Sequence, residues 1–169
     1  RDISRRLNKD VQLVIEGEDT EADKNIIESL AEPLIHIVRN SLDHGIEAPD
    51  VRKQKGKPAT GNLTIRASQE ADRVMIEIQD DGKGIDPDVI RNKAFEKGLI
   101  DEATRQRLSD KEAVNLVLMP GFSTADEVSD LSGRGVGMDA VRSAVDKVNG
   151  TIALESQVDK GTRIRISLP

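Results

Sequence analysis

The 169-residue chain contains no cysteine, so disulfide frameworks, thiolate metal sites and cysteine nucleophiles are excluded. That absence fits a reducing compartment, and the cytoplasm is the expected location. Tryptophan and tyrosine are also missing, and two phenylalanines are the whole aromatic content. The core must therefore be aliphatic, and the clustered aromatics that stack on RNA bases are not available. No apolar run is long enough to span a membrane, and residues 1–9 carry no secretory pattern. Net charge is −6, which argues against a general nucleic-acid surface. Beginning at Arg1, the chain is expected to be a segment of a longer one.

What remains is a soluble composition, 36% hydrophobic and 33% charged, enough for one domain with a core of its own. Residues 1–9 read as the end of an upstream helix or linker, and residues 10–169 as a single domain. VQLVIEGE, from Val11, alternates apolar and polar as a half-buried strand does. A helical stretch follows from about Glu21 to Gly45, with Pro33 expected to split or kink it. Residues 50–62 read as a polar loop. LTIRASQ and RVMIEIQD form two strands with a turn near Ala71 and Asp72. Helices are expected to open at Pro87, near Asp101 and near Asp110. PGFSTADEVSDLSGRGVG reads as a long mobile loop, of the kind that serves as a lid. A helix from Met138 to about Asn149 and two closing strands complete the chain. The expected fold is α+β: a two-layer sandwich with a mixed, mostly antiparallel sheet and helices on one face.

Three segments carry candidate chemistry. At about 100° per residue, Leu34, Ile37, Val38, Ser41, Leu42 and Gly45 share one side of the long helix. His36, Asn40, Asp43, His44 and Glu47 share the other, which taken alone reads more readily as a solvated face. A zinc site from His36 and His44 with Asp43 or Glu47 is a weaker reading. The second segment is Asp80-Asp81-Gly82-Lys83-Gly84-Ile85. Here a strand delivers a carboxylate, and glycines admit a tight turn and a flat ligand. An ordinary β-turn accounts for the same residues. In the third, Ser132 to Met138, alternating glycines lead into a helix, and exposed N–H groups there favour anions. It is neither a P-loop nor the dinucleotide fingerprint, and a flexible linker is an equal reading of it alone.

The order of the three decides among these readings. An Asn-bearing helix, a D-x-G-x-G turn and a G-x-G-x-G turn resemble the N box and two glycine boxes of the GHKL ATPase superfamily, which includes gyrase, MutL and histidine kinases. LIHIVRNSLDHGIE, DDGKGIDPD, PGFST and SGRGVGMDAV resemble more closely the ATP-binding catalytic domain of chemotaxis histidine kinases, from about Val11 to Pro169. The resemblance implies a Bergerat-type fold that binds ATP and Mg²⁺ and passes the γ-phosphate to a histidine on a separate phosphoacceptor domain.

By the same resemblance Asp80 is the adenine carboxylate, Gly82, Gly84 and Ile85 shape the base pocket, and Thr162 helps bind adenine through a water. Asn40 and His44 serve the metal–phosphate region, with Asn40 the Mg²⁺ ligand and Asp43 beside them. Gly133, Arg134, Gly135, Val136, Gly137 and Met138 form the phosphate cradle. Lys93 is read as a phosphate partner or as a surface lysine. Phe122, Ser123 and Thr124 belong to the lid, with Phe122 also readable as core. His36 stands where the ATP-hydrolysing branches carry a glutamate, and it orients the acceptor or takes its proton.

Implied partners are dimerisation and regulatory domains of the same kinase, a coupling protein and chemoreceptors. No nucleic-acid binding or membrane insertion is expected, and the isolated domain is expected to be a monomer. The competing readings are a GHKL ATPase that drives a conformational clamp and a nucleotide-binding module without transfer activity.

Overall fold

The computed structural model describes residues 9–17, 24–122 and 137–169. The expected upstream helix and most of the expected lid lie outside these. Strand β1 (Val11–Glu16) leads to helix α1 (Lys24–Asn40), which runs directly into a π-helical turn, Ser41–Gly45. Helix α2 (Pro49–Gln54) and a hairpin of β2 (Gly61–Glu70) and β3 (Arg73–Asp80) follow. Helices α3 (Pro87–Glu96), α4 (Glu102–Arg107) and α5 (Asp110–Val114) lead to a 3₁₀ turn at Asn115–Leu118. Helix α6 (Met138–Lys147) precedes the closing pair β4 (Thr151–Gln157) and β5 (Gly161–Leu168).

The sheet order is β1-β2-β3-β5-β4, with β1 parallel to β2 and every other pair antiparallel. This is the expected mixed sheet with helices on one face. The inward series Val74, Ile76, Ile78 on β3 and Ile164, Ile166, Leu168 on β5 pack against Leu30 and Ile37 of α1 and Val141 and Val145 of α6. Nearly all of that core is aliphatic, with Phe122 the aromatic exception. The opposite face is polar. Glu16, Arg66, Glu77, Arg163 and Glu155 form a cross-strand series of ion pairs over all five strands. Among the described residues no helix is long and apolar enough to cross a membrane.

Local capping explains where the middle helices begin. Asp86 accepts from the Asp88 N–H at 2.9 Å, and Asp101 from the Thr104 N–H at 2.8 Å. Ser109 and Glu112 form a reciprocal capping box.

Two expectations are narrowed. Of the split or kink expected at Pro33, the split does not occur: α1 is continuous from Lys24 to Asn40, because losing one N–H leaves the remaining ladder in place. Residues 50–62 are not all loop. Pro49 at N1 starts α2, and its polar sequence conceals a buried side, since the residue it buries is Arg52.

Arg52 is 1% exposed and central to a buried charge cluster. Its guanidinium donates to Glu47 Oε1 (3.0 Å), the Pro58 carbonyl (2.7 Å) and the Asp81 carbonyl (3.2 Å), and it pairs with Asp81 Oδ2. Lys57 Nζ joins Glu47 Oε2 (2.8 Å) to the carbonyls of Asp81 (3.1 Å) and Gly82 (2.8 Å). Burial pushes the Glu47 carboxyl up, but bonds and charge from Lys57 and Lys55 outweigh it and hold it below its ordinary range. A depressed carboxylate stabilises the fold above its unfolded-state pKa, about 4.3, and that contribution disappears as pH falls through the folded value.

Arg52→Ala removes a buried guanidinium bonded to Glu47 and to the Pro58 and Asp81 carbonyls, leaving Glu47 to Lys57 and Lys55 alone. It is expected to cost at least about 1.5–3 kcal/mol in urea unfolding at pH 7, the size of one hydrogen bond to a charged group. Glu47→Gln is expected to flatten the loss of stability between about pH 5 and pH 3 relative to the parent chain.

Candidate functional site

The strand alternation leads directly to the site. On β3 the inward series Val74, Ile76, Ile78 continues to Asp80, so a carboxylate takes the place of the next apolar side chain. Asp80 pairs in register with Thr162 on β5, and Thr162 pairs with Ser156 on β4. Three polar residues therefore form one rung at the end of the sheet, beside the core.

Asp80 is 5% exposed. Its Oδ1 accepts from the Gly82 N–H at 2.9 Å, and the Ser41 hydroxyl and Thr162 N–H face the carboxylate. Burial pushes its pKa up, and these three donors only partly offset it. Ser156 Oγ binds Thr162 Oγ1 at 2.9 Å, the Gly161 carbonyl at 3.0 Å and the Ile85 N–H at 2.8 Å.

The glycine turn after Asp80 docks on the π turn. A Cβ on Gly82 would overlap the Gly45 carbonyl oxygen, and the Lys83 N–H donates to that oxygen at 2.8 Å. Gly84 has φ +72°, and a Cβ there would overlap the Gln157 carbonyl. Both positions require glycine for steric reasons.

The opposite wall comes from the end of α1. The Ile46 N–H reaches the Ser41 carbonyl at 2.8 Å, five residues back, which closes the π turn. This changes the helical phase after Asn40. Glu47, expected on one polar face with His36 and Asn40, turns instead to Arg52 and the lysines. Part of the polar face is not solvated: His36 is 8% exposed and lines the cavity with Asn40, while His44 stays exposed at its rim. The side chain of Asn40 meets Met138 Sδ at 3.6 Å, and its oxygen accepts no hydrogen bond from the described residues.

Between the walls lies a cavity of about 260 Å³. Of the candidates read from the sequence, His36, Asn40, His44, Asp80, Gly84, Ile85, Gly137, Met138 and Thr162 line it. Gly82 supports it from behind through Asp80 and Gly45. Asp43 lies outside the lining, 3.2 Å from His44 Nε2, and its carbonyl accepts from Lys9 Nζ at 2.9 Å. Lys93 is not brought to the cavity either. It sits 5.3 Å from the centre of the Phe122 ring, and Phe122, itself a lining residue, is also held by Lys97 through its carbonyl. Ser123, Thr124, Gly133, Arg134, Gly135 and Val136 lie outside the described residues. Gly137 is the N-cap of α6 and contributes no capping side chain, unlike Asp86, Asp101 and Ser109 at α3, α4 and α5.

Residue-level reading missed Ser41, Lys83 and Ser156. Ser41 falls on the packing side of an ideal helix, and only the π turn and the depth of Asp80 make it a donor. Ser156 did leave a signal: the alternation Ile152, Leu154 ends on it, as the β3 alternation ends on Asp80.

A family model described as histidine kinase-, DNA gyrase B- and HSP90-like ATPase matches residues 29–169. The chain belongs to this ATPase family. ATP binding follows from that membership. The ATPase domain is similar over its whole length to the chemotaxis protein CheA of Treponema pallidum, at 52% identity, and to the sensor histidine kinase CheAY of Helicobacter pylori, at 50%. It spans 21% of the length of each, so these relatives carry much more chain than this. Among solved structures it resembles the histidine kinase domain of the blue-light-activated histidine kinase of Erythrobacter litoralis. The TM-score is 0.55 at 14% identity, covering 99% of this chain and 59% of that one. The catalytic domain of histidine kinase ThkA gives 0.51 at 21%, covering 98% and 80%. At those identities the likeness is one of fold.

Because burial raises the Asp80 pKa, its ionised form opposes folding at neutral pH, and stability rises as pH falls from the folded pKa towards the unfolded one. Asp80→Asn is therefore expected not to lower the melting temperature of the unliganded domain at pH 7. It should weaken ADP binding by about 1.5–3 kcal/mol, the size of a charge-assisted hydrogen bond. Calorimetry of both forms checks this. A large drop in melting temperature with ADP affinity intact would contradict the assignment.

Proposed function

We propose that this chain is the catalytic domain of a chemotaxis-type protein-histidine kinase, which holds Mg-ATP while the γ-phosphate passes to a histidine on a separate domain. The observation that carries the reading is the arrangement of one cavity. A buried carboxylate, Asp80, lies on its sheet side, and His36 and Asn40 lie together on its helix side. Support comes also from the similarity to CheA and CheAY.

In this reading Asp80 accepts a hydrogen from the exocyclic amine of adenine, and Thr162 lies beside it on the same rung. Ile37, Leu154 and Ile164 give the base an apolar surround. The phosphates extend towards the N-terminus of α6, where Gly137 leaves backbone N–H groups open to anions. The residues fit a hard divalent cation: the Asn40 amide oxygen is of the right type and is not engaged by the described residues. Asn40 and His44 would hold it, and when bound a magnesium ion neutralises charge on the phosphates. His36, buried against the same cavity, orients the incoming imidazole or receives its proton. Phosphoryl transfer needs positioning and charge neutralisation above all, and a neutral imidazole is already a nucleophile.

The acceptor comes from outside the described residues, because His36 and His44 sit eight positions apart on one helical unit that forms the wall itself. The residues from Ser123 to Val136 would complete the phosphate end. By similarity, the full kinase adds acceptor, dimerisation and regulatory domains, a coupling protein and receptors. This piece works in the cytoplasm as a monomer between them.

With radiolabelled ATP, the chain alone is expected to stay unlabelled, and a purified acceptor domain added in trans is expected to take up acid-labile phosphate. Label on His36 or His44 of the chain alone would refute this. Asn40→Ala is expected to slow transfer by roughly tenfold to a hundredfold while metal-free ADP binding stays within a factor of about two, read by calorimetry with and without Mg²⁺.

A further inference from the structure

The hydrogen-bond inventory of the polar rung fixes the direction of one proton in the cavity. Ser156 Oγ has one hydrogen to give and two lone pairs to fill. It meets three partners: the Ile85 N–H at 2.8 Å, the Gly161 carbonyl at 3.0 Å and Thr162 Oγ1 at 2.9 Å. The Ile85 N–H can only donate, and the Gly161 carbonyl can only accept. The Ser156 hydrogen therefore goes to Gly161, one lone pair takes Ile85, and the other must take the Thr162 hydroxyl hydrogen. Thr162 has then spent its only hydrogen on Ser156, and what it shows to the cavity is lone pairs alone.

Asp80 has the same polarity. A carboxylate offers about four acceptor directions, and the Gly82 N–H occupies one of them on Oδ1. Acceptor capacity remains for a ligand. Two neighbouring positions on one rung therefore present acceptors and no hydrogen to whatever enters.

We propose that Ser156 is a positioning residue for base selection: by holding the Thr162 proton away from the cavity, it makes the base pocket accept a 6-amino purine nucleotide and reject a 6-keto one. An exocyclic amine supplies hydrogens to such a floor, directly or through a water. A keto oxygen facing these positions meets acceptors only, and the 6-keto base has one hydrogen on that edge, at N1, where the exocyclic amine offers two. Selection is thus not carried by Asp80 alone. This inference rests on the adenine reading of the site and adds to it the residue that sets the polarity of its second group.

The test is calorimetric titration of the chain with ADP and with IDP, whose bases differ at C6, amino against keto, and at N1, bare acceptor against N–H; the comparison is the change in their affinity ratio between parent and variant, to which the N1 difference is common. In Ser156→Ala the Thr162 hydroxyl is released and can turn to donate to the keto oxygen. The ADP-to-IDP affinity ratio is expected to fall by roughly tenfold, the size of one hydrogen bond. In Ser156→Thr, which keeps the hydroxyl, the ratio is expected to stay near that of the parent chain. A purely structural role for Ser156 would weaken both nucleotides alike, and an unchanged ratio in Ser156→Ala overturns the proposal.

A second readout needs no variant. In the parent chain the Thr162 hydroxyl proton is expected to exchange slowly with solvent by NMR and to show proximity to Ser156. A freely exchanging hydroxyl proton would also overturn it. Failure of the parent chain to bind ADP at all would instead refute the nucleotide reading on which this rests.

Discussion

A carboxylate buried at the end of a β-sheet is the constraint around which this domain is arranged. Ionised Asp80 in an apolar surround is costly unless donors converge on it, and the three that do come from three different parts of the chain. Gly82 is on the following turn, Ser41 is at the end of the first helix and Thr162 is on a strand about eighty residues further on. Each donor must come close, so the first helix has to end against the sheet and the glycine turn has to fold back over it. The pKa of Asp80 stays raised despite these donors. The apolar setting that raises it also leaves its remaining acceptor capacity strong for a ligand.

The π turn and the ion cluster are the means by which that approach is held. One extra residue per turn at Ser41–Gly45 brings the Ser41 side chain and the Gly45 backbone to the Asp80 turn together. Arg52 and Lys57 then grip the carbonyls of Asp81 and Gly82 from the far side, with Glu47 as their counter-charge. The short helix that carries Arg52 thus acts on the base pocket without touching it. A chain with net charge −6 places cations here against backbone oxygen, where they set the shape of a turn.

The two ends of the cavity divide the work according to the elements that build them. Strand ends supply a rigid floor of acceptors at defined register, which suits a flat base. Helix ends supply an amide oxygen, imidazoles and open N–H groups, which suit phosphates and their counter-ion. Asn40 of the first helix and Met138 at the start of α6 meet directly, so the two helix ends are coupled where the phosphate chemistry is proposed to occur. Phe122 packs between Lys93, Lys97 and the cavity.

Much of this was legible in the sequence. Alternation located β1, the other four strands of the described sheet and the openings of the middle helices were read in place, and the order of the Asn helix and two glycine turns was specific enough to indicate the ATPase family. Asp80, Thr162, Asn40 and His36 were named from motifs, and they do line one cavity. Tertiary structure decided what local patterns cannot encode. Helical periodicity assumes 3.6 residues per turn, so a π turn closed by contact with another element put Ser41 and Glu47 on unexpected sides. Propensity reads α2 as loop because its buried residue is an arginine, and only the long-range partners Glu47, Pro58 and Asp81 make that burial tolerable. Lys93 looks like a phosphate ligand by position, yet the ring of Phe122 lies against it. The polarity of Thr162 depends on a hydroxyl across the strand pair, because a proton's direction is set by the full set of neighbours of an atom, and those neighbours meet only when the sheet has formed.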